Sequence, residues 1–99
     1  MKEKEGYRSK DGSYMMYQVW PFMDEGDDIE DADLRYLWVE MFQIDGEWCN
    51  PIINFNGGGC HIYPHEVTLF MEAFQKAVSK QDEWVKKYKP TKKMRQSNG

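Results

Sequence analysis

The alternation of hydrophobic and polar positions predicts short β-strands in the first two thirds of the chain. Residues 13–20, "SYMMYQVW", are rich in strand-forming side chains, and Pro21 ends this run because proline lacks the amide that a strand ladder needs. A second run covers residues 34–44 and is followed by Asp45-Gly46, a pair typical of a two-residue hairpin turn. The pattern therefore predicts two strands, the second of which enters a hairpin.

Two further strands are predicted after the hairpin. The run "EWCNPIINFN", residues 47–56, contains Pro51, which favours an edge position or a bulge. Three glycines at 57–59 indicate a flexible turn, and "CHIY", residues 60–63, predicts a short fourth strand.

The rest of the chain has the spacing of an amphipathic helix. Pro64 suits a first helical turn, where its missing amide costs nothing, and we expect the helix to run from His65 to about Lys89. The apolar positions with this spacing are Val67, Phe70, Met71, Phe74, Ala77, Val78, Trp84, Val85 and Tyr88. Gln81 interrupts the stripe, so the helix could bend there.

These elements predict an α+β fold: an antiparallel sheet of about four strands, β-β-β-β-α, with one long C-terminal helix packed on one face. The 99 residues form a single domain, and the polar segments 1–12 and 90–99 are expected to be flexible tails.

One helix covers one face of such a sheet and leaves the other face open. Within 34–44, Leu37, Val39 and Met41 alternate with aromatic residues and suit the helix side. The opposite face would display Tyr14, Trp20, Tyr36, Trp38 and Phe42. An apolar surface of this kind usually marks an interaction site. A ligand with stacking bases, a second copy, the N-terminal segment or a protein partner could each cover it.

The charges are unevenly distributed around a net charge of -4. Residues 24–33, "DEGDDIEDAD", hold seven acidic residues and no basic one. The C-terminal end holds only basic charges, on Lys86, Lys87, Lys89, Lys92, Lys93 and Arg95. The acidic average charge argues against a nucleic-acid partner, but the basic end does not, because it could contact phosphates.

No cofactor or metal is expected. Cys49, Cys60, His61 and His65 carry possible zinc ligands, but there is no C-x-x-C pair, and neighbouring residues of a strand point to opposite faces. The N-terminal ten residues have no apolar stretch, and no segment of about 18 apolar residues occurs. We therefore expect a cytoplasmic protein that does not enter a membrane.

The segment "GGGCHIYPHEVTLFMEAFQKAV" resembles part of the transcriptional-coactivator-type (Whirly/Pur-like) single-stranded-DNA-binding proteins. The resemblance extends over about residues 34–80 and consists of the element order and of a G-x-x-I pattern before the helix. It implies dimers formed through the helices and a sheet face that holds single strands. By position it places Arg35, Trp38 and Phe42 on that face.

The sequence favours a non-catalytic protein that binds single-stranded nucleic acid. The candidate binding residues are Tyr14, Trp20, Arg35, Tyr36, Trp38, Phe42, Lys86, Lys87, Lys89, Lys92 and Lys93. The alternative is a small acidic inhibitor or adaptor, of the DNA-mimicking type found in phages, that binds a protein through loop 24–33 and the aromatic patch.

A homodimer is also predicted, with Trp84, Val85 and Tyr88 at its interface. A helix of about 24 residues spans ~36 Å, whereas strands of about six residues span ~20 Å. The last turns of the helix would then extend beyond the sheet and need a second copy. The alternative is a helix that breaks near Gln81 and folds back over the aromatic face.

Overall fold

A computed structural model describes residues 1–29, 33–57 and 61–91. Within these residues the chain forms strands, a short 3-10 turn and a long helix. The elements are β1 (Lys2–Arg8), β2 (Tyr14–Trp20), β3 (Tyr36–Ile44), β4 (Glu47–Trp48), β5 (Ile52–Asn56), the 3-10 turn Pro64–Glu66 and α1 (Val67–Tyr88).

The strands form one antiparallel sheet in which β3 is central. β1 pairs with β2, and β2 pairs with β3, so that Tyr17 lies opposite Val39. On its other side β3 pairs first with β4 and then with β5, where Val39 lies opposite Ile53. The α+β fold predicted from the sequence is confirmed.

The hairpin and the irregularity at Pro51 are found where the sequence places them. Asp45 and Gly46 have φ values of 54° and 79°, as a type I′ turn requires. Pro51 lies between β4 and β5, which therefore form an interrupted strand along the outer side of β3. The backbone amide of Cys49 keeps the two halves attached by donating to the Phe42 carbonyl at 2.9 Å.

The N-terminal segment differs from the prediction of a flexible tail, because residues 2–8 form β1. β2 offers β1 a free edge, so pairing there needs no apolar side chains. The acidic side chains of Glu3 and Glu5 form ion pairs with Lys76 and Lys80 on α1, at 3.3 and 3.4 Å.

The predicted fourth strand at 60–63 does not form at residues 61–63, and Cys60 lies outside the described residues. The backbone polar groups of this segment form hydrogen bonds to side chains instead of to a neighbouring strand. The His61 carbonyl accepts a hydrogen bond from Arg35 at 2.9 Å, and the Tyr63 amide donates to the Glu66 carboxylate at 3.0 Å. These bonds tie the segment to the start of the helix.

The predicted helix is confirmed and is not broken at Gln81. The α-helix runs from Val67 to Tyr88, and Lys89 ends it in the left-handed conformation, with φ 48°. The Gln81 side chain donates to the Pro51 carbonyl at 2.7 Å, so this polar residue fixes the helix against the strand interruption.

The core lies between α1 and the adjacent face of the sheet. Its buried members are Met15, Tyr17, Val19, Leu37, Val39, Met41, Ala73, Ala77 and Trp84. The assignment of Leu37, Val39 and Met41 to the helix side is therefore correct.

The expected overhang of the last helical turns is absent. Trp84 is 5% exposed and belongs to the core, and Tyr88 packs on Trp48, with 5.2 Å between the ring centroids. The reason is the length of β3, because its nine residues extend about 30 Å and match the helix.

Candidate binding face of the sheet

The sheet has one side that faces away from α1, called the open face below. Alternate side chains of β1, β2, β3 and β5 lie on it. Cross-strand register sets these neighbours: Tyr14 lies opposite Phe42, Gln18 opposite Trp38, and Trp38 opposite Asn54. The open face comprises Lys2, Lys4, Tyr14, Met16, Gln18, Trp20, Tyr36, Trp38, Glu40, Phe42, Ile52, Asn54 and Asn56.

A row of three aromatic rings runs across one end of the open face. The ring centroids of Trp20 and Tyr36 are 5.4 Å apart, and those of Tyr36 and Trp38 are 5.5 Å apart. Trp20 is only 3% exposed, whereas Tyr36 and Trp38 are half-buried. Trp20 therefore supports the row from inside, and Tyr36 and Trp38 offer accessible ring surface.

The Glu40 carboxylate lies in the middle of the open face and accepts three hydrogen bonds. Its Oε2 atom accepts from the Tyr14 hydroxyl at 2.7 Å and from the Trp38 indole Nε1 at 3.3 Å. Its Oε1 atom accepts from the Asn54 amide at 3.4 Å. The bond to Nε1 fixes the orientation of the Trp38 ring, so that ring is ready to stack on a flat ligand without first losing side-chain freedom.

The acidic loop is fastened beside the Trp20 end of this face. Lys2 lies opposite Trp20 across β1 and β2, and its Nζ donates to the carbonyls of Glu25 and Asp27, both at 2.8 Å. Residues 24–29 are exposed, and residues 30–32 lie outside the described part of the chain. The acidic side chains up to Asp28 therefore project into solvent from a loop whose backbone is held.

Arg35, predicted as a nucleic-acid contact, is fully engaged within the protein. Its Nε donates to Asp33 at 2.8 Å, and Nη2 donates to Asp33 at 2.5 Å and to Glu66 at 2.9 Å. Nη1 donates to Glu66 at 2.7 Å and to the His61 carbonyl at 2.9 Å. A guanidinium has five N–H donors, and all five are used.

The Arg35 guanidinium also lies 4.1 Å from the centroid of the Phe22 ring. Hydrogen bonds from Arg35 are the main reason that the pKa values of Asp33 and Glu66 are held below their ordinary values. Arg35 is therefore a clamp that joins the start of β3 to the start of α1.

The predicted basic contacts lie away from the aromatic residues. Lys86, Lys87 and Lys89 are exposed at the C-terminal end of α1, on the side of the sheet opposite to the open face. Lys92 and Lys93 lie outside the described residues. The structure thus brings Tyr14, Tyr36, Trp38 and Phe42 together but separates them from Lys86, Lys87 and Lys89.

Of the predicted interface residues, Trp84 and Tyr88 pack inside the chain, and Val85 is 41% exposed.

The cysteine and histidine residues have other contacts. Cys49 is a buried free thiol, and the His61 ring nitrogen Nε2 lies 2.7 Å from the Tyr63 hydroxyl. Among the described residues, which exclude Cys60, no group of three or more His, Cys, Asp or Glu side chains is arranged to hold a metal ion.

Sequence reasoning did not single out Glu40, Gln18 and Asn54 as members of the site. The first could have been found, since Glu40 follows Trp38 by two residues on a strand and must share its face. The other two become neighbours of Trp38 only through the register of β2 and β5, which no local pattern specifies.

Comparison of the chain with models of known protein families, with curated proteins and with solved structures found no match. Across residues 1–29, 33–57 and 61–91, no helix is both long and apolar enough to cross a membrane.

Proposed function

We propose that the protein is a non-catalytic binding protein whose open face stacks the bases of single-stranded nucleic acid. The observation that carries the proposal is the pair of accessible rings, Tyr36 and Trp38, whose centroids are 5.5 Å apart on the open face. Every base has an aromatic face, and each base stacked on such a ring contributes roughly 1–3 kcal/mol.

The polar side chains around the rings fit base edges better than they fit phosphates. The Gln18 and Asn54 amides flank Trp38 and offer both donors and acceptors to a base edge, whereas the Glu40 carboxylate is already bound by Tyr14, Trp38 and Asn54. Cytosine and guanine present amino groups that such acceptors can bind. A carboxylate in the middle of the face would repel a phosphate, so the sugar-phosphate chain is expected to pass along the margin.

This arrangement predicts a weak dependence of affinity on salt. Binding that is dominated by phosphate contacts falls steeply as salt displaces the released counterions. The strands place two basic residues on the open face, Lys2 and Lys4, and the Lys2 ammonium group is already bound to the acidic loop. Because the described lysines of α1 lie on the opposite side of the sheet, we expect stacking to contribute more than phosphate contacts. The affinity should therefore change little between low and moderate salt.

The test is a titration of fluorescently labelled single-stranded oligonucleotide, followed by anisotropy. Trp38→Ala should weaken binding by about tenfold, since it removes one stacking platform. Leu69→Ala is the matched control, because Leu69 is 41% exposed on α1, and this change should leave the affinity unaltered. An equal affinity for the wild type and Trp38→Ala would contradict the proposal.

Glu40→Gln sharpens the same test. The change removes one negative charge from the open face and keeps a side chain that can still accept from Tyr14 and Trp38. We expect a rise in oligonucleotide affinity of a few-fold, on the order of the effect of one partly screened charge. A fall would show that the carboxylate itself contacts the bases.

A second candidate function is the binding of a basic protein by the acidic loop. The observation that favours it is the fixed backbone: Lys2 holds the carbonyls of Glu25 and Asp27, and the Asp24 amide donates to the Asp27 carboxylate at 2.7 Å. A preorganised acidic surface gives fast and salt-sensitive association with a positively charged partner. Capture of a basic protein that is lost in Lys2→Ala, together with no oligonucleotide binding, would favour this candidate.

A further inference from the structure

The flank of the molecule beside β5 has two uncovered features. Along α1 an apolar stripe, called the flank stripe below, faces away from the core. Its members are Val67, Met71, Phe74, Val78 and Val85. Val78 is half-buried, and the other four residues are 41–64% exposed.

The position of the flank stripe follows from helix geometry. At 3.6 residues per turn, its residues lie about 90° around the helix from the buried line of Ala73, Ala77 and Trp84. Contacts to the sheet show which side this is. Phe70 packs edge-on against Phe55 of β5, with 5.2 Å between centroids, and Gln81 binds the Pro51 carbonyl. The flank stripe therefore lies on the β5 side of the molecule.

The second feature is the edge of the sheet itself. Among the described residues, the outer side of β5 pairs with no strand. Its sequence, "IINFN", has no charged residue and no proline, and Phe55 is 43% exposed. Exposed edges are usually protected by charge, by proline or by a covering element. The opposite edge has that protection, since β1 reads "KEKEGYR".

Four of the five members of the flank stripe match one another under a two-fold rotation, and the fifth, Met71, falls opposite Gln81. Val67 and Phe74 are seven residues apart, and so are Val78 and Val85. A two-fold axis at residue 76 exchanges Val67 with Val85 and Phe74 with Val78. An isologous interface requires this kind of match between a surface and its own rotated copy.

The same axis passes the middle of β5. Phe70 contacts Phe55 of β5, and Gln81 contacts Pro51, which directly precedes β5, so β5 runs antiparallel to the helix. Ile53, midway between Pro51 and Phe55, is therefore level with Gln75 and Lys76 of the helix. A rotation about this one axis places helix beside helix and the edge of β5 beside its copy.

We infer that a second copy of this chain covers the flank, with the two α1 helices antiparallel about a two-fold axis near residue 76. The exposed fractions of the stripe and of Phe55 correspond to roughly a few hundred Å² of apolar surface, a size at which a patch often marks an interaction site. A standard interface buries about 800 Å² per partner, so the stripe would form its apolar centre. The inference does not depend on a ligand of the open face, and its test needs none.

The interface differs from the one predicted from the sequence. That prediction placed Trp84 and Tyr88 against the partner, whereas both pack within the chain. Only Val85 belongs to both proposals.

The first experiment measures the mass of the protein by light scattering over a range of micromolar concentrations. The wild type should have twice the monomer mass of 11.8 kDa. Phe74→Glu should be a folded monomer, because it places a charge at the centre of the stripe. Leu69→Glu is the control: Leu69 is equally exposed on α1 but lies outside the stripe, and this variant should remain dimeric. Helical circular dichroism must be retained in both variants.

A monomeric wild type at all these concentrations would overturn the inference, and so would a Phe74→Glu variant that is folded and still dimeric.

The second experiment determines the orientation by disulfide cross-linking, in a Cys60→Ser background with the buried Cys49 kept. A mixture of Val67→Cys and Val85→Cys proteins should form the mixed cross-linked dimer on oxidation, since the antiparallel arrangement brings these positions together. Val67→Cys alone should remain uncross-linked. Efficient cross-linking of Val67→Cys to itself would indicate parallel helices and refute the proposed arrangement.

Discussion

β3 carries two different surfaces on one strand. Towards α1, the side chains of Leu37, Val39 and Met41 are 0–1% exposed and pack in the core. Towards the open face, Trp38 and Glu40 are half-buried, and a carboxylate lies among aromatic rings. Both sets come from the same nine residues, so local sequence preference for a strand does not explain the difference.

The two faces of β3 differ in burial because α1 covers only one of them. One helix with small residues such as Ala73 and Ala77 at its centre comes close to the sheet and excludes water from that side. Within the described part of the chain, the acidic loop lies at the Trp20 end of the other side, where Lys2 binds its backbone. Burial by the helix therefore makes one face of β3 part of the core, whereas the other face stays accessible to solvent.

The largest expected effect comes from truncating neighbouring residues that face opposite ways. Leu37→Ala should lower the free energy of unfolding by about 2–5 kcal/mol, because it leaves a cavity in a packed core. Trp38→Ala should lower it by only about 1 kcal/mol, as is usual outside the core. Urea denaturation measures both, and equal losses would show that the open face is as much a part of the core as the helix side.

The next effect tests the clamp that joins the helix to the sheet. Arg35→Met should lower the melting temperature by roughly 5–10 °C, because it removes two carboxylate contacts and leaves Asp33 and Glu66 side by side. Lys76→Met is the control: its ion pair with Glu3 is exposed, and its loss should change the melting temperature little.

The clamp also predicts a pH dependence. The pKa values of Asp33 and Glu66 are held below 3.8 and 4.5, chiefly by hydrogen bonds from Arg35. A carboxyl group with a lowered folded-state pKa stabilises the fold above its unfolded pKa and loses that contribution as pH falls through the folded value. The gap between wild type and Arg35→Met should therefore be widest at neutral pH and narrow below about pH 4. A gap that stays constant with pH would contradict this origin.

The smallest effect compares two tyrosines that each donate to a carboxylate, one on each face. Tyr17 is 6% exposed and donates to Glu3 on the helix side, whereas Tyr14 is half-buried and donates to Glu40 on the open face at 2.7 Å. Tyr17→Phe should cost about 1 kcal/mol, and Tyr14→Phe should cost less, since water can replace the lost bond there.

An alkaline pH titration of stability compares the wild type with Tyr17→Phe. Burial, followed by the hydrogen bond to Glu3, raises the pKa of Tyr17 above its ordinary value of 10.0. A raised pKa means that the neutral hydroxyl stabilises the fold below the unfolded pKa, and that this contribution is lost as pH rises beyond it. The wild type should therefore lose more stability above about pH 10 than Tyr17→Phe does. An identical loss in both proteins would show that other groups control the alkaline transition.

Several features could be predicted from local sequence because local chemistry controls them. Asp45-Gly46 reaches positive φ without strain, Pro51 removes a ladder donor, and the spacing of apolar residues specifies the helix from Val67 to Tyr88. The alternation along β3 also separates Leu37 from Trp38, since successive side chains point to opposite faces.

Other features could not be predicted, because they depend on contacts between residues that lie far apart in the sequence. β1 has no apolar pattern and forms because β2 offers it an edge and α1 offers lysines to Glu3 and Glu5. The sequence predicted that Arg35 contacts nucleic acid. In the structure its five N–H donors form hydrogen bonds to Asp33, His61 and Glu66, which lie up to 31 residues away in the chain.

The sequence by itself therefore determined the α+β class, the hairpin, the long helix and the face to which each β3 side chain belongs, because these depend on backbone geometry and on residue spacing. The tertiary structure alone decided that Trp20 is buried, that Trp84 lies in the core, and that Gln18 and Asn54 flank Trp38. Burial and side-chain pairing depend on which distant residues come into contact, and that contact is settled only when the sheet register and the helix packing form together.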